Sequence, residues 1–177
     1  SFLEKRHPNF NGLNLSWESL EGIVKHNGIL IKEIPYHIAK FNKIYDLSLN
    51  FQPLLESQIA AISDDIAYNN HDVEDALRAG LITIDQLNEN IFFKEIIESI
   101  KLEYKNINDK LLIYQVLRKS MSKMINDIFN QTKKNILENN IKKIEDFQKH
   151  NSFIVTFSDD MKKKCLTIKS FLNENVY

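Results

Sequence analysis

The alternation of apolar and polar positions has a helical period along most of the chain. Leu55, Ile59, Ile62 and Ile66 recur at i, i+4, i+7 and i+11, the signature of one buried helix face. Ser16 is a good N-cap for WESLEGIVKH, with Glu18 facing the helix dipole. The spacing of Trp17, Leu20, Ile23 and Val24 predicts a single apolar face there, and Asn27-Gly28 predicts its end. Pro35 opens a second helix over PYHIAKFNKIYD, and LSLNFQP reads as a linker. HDVEDALRAG continues as a further helical segment closed by Gly80, and TIDQLNEN supplies a short Thr/Asp-led turn. FFKEIIESIKLEYKNI and NDKLLIYQVLRKSMSKMINDIFNQTKKNIL read as amphipathic helices, the second about 45 Å long if unbroken. Ser158 caps a last helix with two aspartates at its start. ILIKEI and FIVTF are short apolar pieces suited to extended backbone. Residues 1–14 read as an irregular lead-in.

Composition narrows the class. Only 4 Gly and 3 Pro interrupt 177 residues, too few turn residues for a sandwich or a doubly wound sheet. The expectation is an all-α fold, one helical domain over residues 1–177, packed around one core. A net charge of −1 and a pI near 6.5 give no global basic field of the sort a dedicated nucleic-acid binder carries. The lysine-rich stretch KKNILENNIKKIEDFQKH is interleaved with acids. It reads as a solvated face rather than a single-stranded DNA surface. Cys165 is the sole cysteine, so no internal disulfide forms, and core packing is its expected role. No apolar run approaches the roughly 18 residues of a membrane span, and no signal-peptide core stands at the N-terminus. These features predict a cytosolic protein.

Titratable chemistry concentrates in SDDIAYNNHD, residues 63–72. Asp64, Tyr68 and Asp72 are spaced i, i+4 and i+8, one stripe about 12 Å long if the helix holds through Asn70. A carboxylate can hold a hard divalent ion. A phenol ring can pack on a sugar, and a second carboxylate can accept from a sugar hydroxyl. The spacing is equally compatible with an interhelical cap at SDD, a half-buried Tyr68 and a new helix starting at HDVEDAL. The His71-Asp72 doublet lacks the neighbouring histidines of a compact metal site, because the chain has no HxH or HxxxH pair.

The segments FNGLNLSWESLEGIVKHNG (10–28) and ESQIAAISDDIAYNNHDVEDALRAGLI (56–82), with the C-terminal FSDDMKKKCLTIKSFLNENVY, resemble the bacterial deoxyguanosine-triphosphate triphosphohydrolase-like proteins of the HD-domain superfamily. The resemblance runs over essentially the whole chain. It implies an irregular all-helical bundle, often oligomeric. It implies metal-assisted cleavage of a deoxynucleoside triphosphate into deoxynucleoside and tripolyphosphate, with Mg²⁺ or Mn²⁺. The family holds its metal with a histidine, a His-Asp doublet and a distant aspartate. By resemblance Asp64 is that distant aspartate, Tyr68 packs on the deoxyribose and Asp72 takes the 3′-hydroxyl. Contact at the 2′ carbon would disfavour a ribonucleotide. The remaining metal ligands and the catalytic histidine are expected outside this chain, supplied by a complementing N-terminal segment or another chain. The metal is expected only with them, and the isolated chain is expected to have little or no activity. Lys25 is a candidate phosphate contact, its alternative a solvated lysine at the helix end. His26 reads as a C-terminal cap. The competing function is non-catalytic, a helical interaction or oligomerisation module left by a split gene.

Overall fold

Where the sequence sets helical periods the backbone follows them, in a computed structural model that describes residues 7–10 and 12–176. The remainder of the irregular lead-in and Tyr177 lie outside the described residues. Eight helices are present among those described, and no strand forms. They are α1 (Trp17–Lys25), α2 (Tyr36–Asn42), α3 (Leu55–Arg78), α4 (Ile84–Leu87), α5 (Ile91–Glu103), α6 (Asp109–Glu138), α7 (Ile144–Gln148) and α8 (Asp159–Asn175). The fold is all-α, as the sparse glycine and proline demand. ILIKEI and FIVTF find no strand partner and run as irregular backbone. Residues 144–148, for which no helix is predicted, form α7. Cα packing groups the chain into two compact units, residues 1–61 with 141–154, and residues 62–140 with 155–177.

The second unit holds the apolar core. α5 contributes Phe92, Phe93, Ile96, Ile97 and Ile100, all with 1% exposure or less. α6 meets it with Leu112, Val116 and Met124, and α8 with Met161, Cys165, Ile168 and Leu172. The α8 set recurs at i, i+4, i+7 and i+11, one helix face. From α3 come Ile66, Val73 and Ala76. Each buried side chain of this size contributes about 1.5–3 kcal/mol by leaving water. Polar ties fix the helix ends around this core. Ser158 caps α8 by accepting from the Met161 amide, and Asp127 of α6 accepts from the Ser158 amide and hydroxyl. Thr83 and Gln86 close a capping box on α4. Between α3 and α6, the buried Ser120 hydroxyl donates to Asn70, whose amide donates to the Ile66 carbonyl.

The first unit is organised around a charge. α1 buries Glu21 and Lys25 completely, while Ile23 is 47% exposed. Of the apolar face expected at Trp17, Leu20, Ile23 and Val24, three residues are half-buried and Ile23 is exposed, while the two fully buried residues of α1 are charged. Lys25 is not a solvated helix-end residue. The cause is that one ammonium gathers four oxygens. Its Nζ lies 2.6 Å from Glu21 Oε1 and donates to the carbonyls of Ser48, Phe51 and Gln52 at 3.0–3.3 Å. Ser48 takes a left-handed φ of 52° to turn this loop. Glu21 in turn accepts from the Leu54 amide and the Ser57 hydroxyl at the start of α3. A Cβ at Gly22 would stand 2.5 Å from Ser57 Oγ, so glycine permits the close approach. Leu47, Leu49, Phe147 and Ile154 pack in the same unit. Gln58 ties it across the chain, donating to the Pro53 carbonyl and accepting from the Ile154 amide.

Removing one member of a buried pair leaves the other charged and dry, at a cost of about 3–5 kcal/mol. Lys25→Met is expected to destabilise the first unit by that amount, and Glu21→Leu added to it to recover a large part. The fluorescence of Trp17, the sole tryptophan, whose Nε1 donates to the Asp46 carbonyl at 2.7 Å, follows that unit through urea unfolding.

Burial pushes the Cys165 thiol up to about 11, opposed in part by Lys169. An unfolded chain ionises this thiol near 9, so the folded state holds the extra proton between those values. Stability falls as pH rises from 9 to 11 and gains nothing from this group below 9. The thiol is expected to stay unmodified by a disulfide reagent at pH 8 until denaturant is added.

Candidate functional site

The stripe at Asp64, Tyr68 and Asp72 stands on α3, which runs unbroken for 24 residues from Leu55 to Arg78. No cap interrupts it at SDD and no second helix begins at HDVEDAL. An uninterrupted helix puts positions four apart one above another, so the three side chains share one face over about 12 Å. The reason for continuity lies on the opposite side. Ile66, Val73 and Ala76 are buried in the apolar core, and Asn70 is held at 2.8 Å to the Ile66 carbonyl and by Ser120. The polar stripe is thus the outward counterpart of a face whose burial is already secured.

Asp64 and Asp65 are exposed, and Asp72 is half-buried. Tyr68 is 63% exposed, which overturns the half-buried core alternative. A large aromatic ring left in water beside carboxylates has apolar surface to gain from a ligand and a hydroxyl to orient it. His71 is exposed as well, its Nδ1 3.9 Å from Glu74, which binds Arg78 at 2.6 Å. The doublet's histidine therefore has an acidic neighbour on its own helix.

Lys25 belongs to the first unit and the stripe to the second. With its ammonium turned to four oxygens of its own unit, Lys25 presents no donor to a phosphate in this arrangement. What sequence reasoning missed here was burial. Its one available signal was the i, i+4 Glu21–Lys25 spacing, which surface helices share. His26 is the C-cap of α1, with Nδ1 2.9 Å from the Ile23 carbonyl.

Divalent ions of the magnesium type require about six oxygen ligands, with carboxylates and waters among them. Among the described residues no three His, Cys, Asp or Glu side chains converge in a way that can hold a metal ion. Asp64 offers one carboxylate, so these residues do not by themselves fit a complete divalent site. What the stripe can do alone is present an acceptor, an aromatic plate and a second acceptor in line. No described helix is long and apolar enough to cross a membrane.

No family model matches the chain. Along its full length the chain is similar to curated proteins named deoxyguanosinetriphosphate triphosphohydrolase-like protein. It is 42% identical over 177 residues to that of Rickettsia rickettsii (strain Iowa), 41% to that of Rickettsia canadensis (strain McKiel) and 38% to that of Rickettsia prowazekii (strain Madrid E). All of this chain is covered in each case, and 46%, 47% and 46% of the respective relative. The chain thus spans about half the length of the curated relatives it matches.

Because Asp64 and Tyr68 are exposed and the buried residues of α3 lie opposite, truncating either leaves folding intact. Asp64→Ala and Tyr68→Ala are each expected to shift unfolding free energy by no more than about 0.5 kcal/mol. Ile66→Ala, on the buried face, is expected to cost about 2–5 kcal/mol. Urea titrations of the three variants check this division of the helix.

Proposed function

We propose that this chain forms one wall of a deoxynucleoside triphosphate triphosphohydrolase site, with α3 as the wall. The observation that carries the reading is the unbroken helix that aligns Asp64, Tyr68 and Asp72 on one face, the first two exposed and Asp72 half-buried. Similarity over all 177 residues to triphosphohydrolase-like proteins supports it. Tyr68 packs its ring on the deoxyribose, where an aromatic plate leaves little room for a 2′-hydroxyl. Asp72, one turn on, accepts from the 3′-hydroxyl. Asp64, one turn back, contributes a single carboxylate to a divalent ion whose other ligands come from outside the described residues. The substrate is a deoxynucleoside triphosphate, and the products are the deoxynucleoside and tripolyphosphate. Water supplies the oxygen that replaces the sugar oxygen on phosphorus. Lys25 has no part in this reading, because its ammonium is committed inside the first unit.

The test joins this chain to the half of the Rickettsia rickettsii relative that it does not match. With Mg²⁺ or Mn²⁺ and dGTP, the fusion is expected to release tripolyphosphate, and the 177-residue chain alone to release next to none. Asp64→Ala in the fusion is expected to abolish turnover, and Asp65→Ala to leave most of it. Tyr68→Ala is expected to raise KM about tenfold, the loss of roughly 1.4 kcal/mol of ring contact. A fusion inert toward every deoxynucleoside triphosphate overturns the reading. Equal loss on Asp64→Ala and Asp65→Ala overturns the assignment of Asp64.

A further inference from the structure

Asn70 interrupts an apolar row. On α3, Ile62, Ile66, Val73 and Leu77 pack inward at the spacing of one helix face, and position 70 completes their row. An asparagine stands there, with only 4% of its surface exposed. An amide so placed is costly unless its polar atoms are engaged.

They are engaged, and by two helices. Asn70 Oδ1 accepts from the Ser120 hydroxyl of α6. Its Nδ2 donates to the Ile66 carbonyl of its own helix at 2.8 Å and toward Met124 Sδ of α6 at 3.6 Å. Ser120 and Met124 are four residues apart, so one row of α6 grips both ends of the amide. Neither has any exposed surface. The Ser120 oxygen is itself placed by its own helix, 2.9 Å from the Leu117 carbonyl.

Asn70 lies midway between Tyr68 and Asp72, two residues from each, on the far side of the helix axis. Because α3 is unbroken from Leu55 to Arg78, whatever turns Asn70 turns them. Apolar contacts are undirected, and a core accepts small shifts among them. A hydrogen bond is narrower, holding only within about 3.2 Å and near a straight line. Turning α3 by about 10° moves a group roughly 6 Å from its axis by about 1 Å. That is enough to break the contact with Ser120. It displaces the outward side chains by as much, and a misplacement of about 1 Å can cost a hundredfold in rate.

We infer that Asn70, held by Ser120, is a positioning residue that sets the rotation of α3 on α6 and through it the aim of Tyr68 and Asp72 at the substrate. The inference rests on the role proposed for that stripe and adds to it a residue that touches no substrate. A leucine at 70 would continue the apolar row and fold as well. What it would lose is the angle, the kind of specificity a single buried asparagine confers on packed helices.

Two measurements test it. In the fusion described above, Asn70→Leu with Ser120→Ala removes both polar partners together, so urea stability is expected to stay close to that of the parent. KM for dGTP is expected to rise about tenfold. Tyr68→Ala, which costs about tenfold in KM on the parent, is expected to add about twofold or less on this background, because the ring is already turned away. Val73→Ala is the converse. It is expected to lower urea stability and leave the full effect of Tyr68→Ala in place. Ser120→Ala alone, which adds no bulk, is expected to act as the pair does, to a lesser degree. The second measurement needs no turnover. Nitroxide labels on Asp75→Cys of α3 and Arg118→Cys of α6, both exposed, report the separation of the helices in the 177-residue chain by pulsed electron resonance, and the buried Cys165 takes none. One narrow distance is expected, broadened by Asn70→Leu with Ser120→Ala and kept by Val73→Ala. An unchanged distance in the pair variant overturns the inference, as does a full effect of Tyr68→Ala on that background or loss of the fold in both the pair variant and Ser120→Ala. A broadened distance in a chain whose fusion is inert overturns the triphosphohydrolase reading and upholds the control of rotation by Asn70.

Discussion

The i→i−4 hydrogen-bond ladder of α3, continuous from Leu55 to Arg78, is the constraint on which the functional reading rests. A break at Ser63 or Asn70 would rotate Asp72 away from Asp64 and Tyr68, and the three side chains would no longer share a face. The ladder survives because the helix is anchored at both levels of its length. Its start is held by Glu21 through the Leu54 amide and the Ser57 hydroxyl. Further along, Ile66, Asn70, Val73 and Ala76 are buried. The exposed Asp64 and Tyr68 add little to folding and are chemically available for that reason.

The two compact units reach order by different physics. The second is a conventional apolar core in which α5 is inserted with almost no exposure on five of its residues. Around its rim the charges are arranged for solubility. Glu95 receives both Lys123 and Lys164, with Asp160 also on Lys164. Burial pulls the Lys164 ammonium down, but Asp160 and Glu95 outweigh it and hold the group above the ordinary lysine range. The first unit has fewer large apolar residues at its centre and instead wraps a loop around an ion pair. An apolar core tolerates repacking of similar volumes. A dry ammonium with fixed oxygen partners does not.

Much of the architecture was legible because capping and periodicity act locally. Ser16, Asn27-Gly28, Thr83 with Gln86, and Ser158 mark helix ends by satisfying orphan backbone groups within three residues. The 30-residue span of α6 follows from an apolar period with no glycine or proline in it. α7 was not legible, since five residues carry too little period to stand out. The stripe's spacing was legible, but its exposure was not, because Tyr68 at i+4 from Asp64 suits a core as well as a surface. The burial of Glu21 and Lys25 was illegible for a related reason. Their partners are backbone carbonyls of Ser48, Phe51 and Gln52, and a carbonyl has no side-chain letter.

The chain favours lysine over arginine throughout, as coding bias alone would produce, and at most positions the two would exchange freely. Position 25 is different. A tetrahedral ammonium can send its three protons toward oxygens arranged around a point, as the carboxylate of Glu21 and the three loop carbonyls are. A guanidinium is flat, longer and forked, and its five donors lie in one plane. In a site with no exposed surface there is no room for the mismatch to relax. A genome drifting toward arginine codons could rewrite the lysines of this surface one by one, yet it would meet a fixed letter at Lys25.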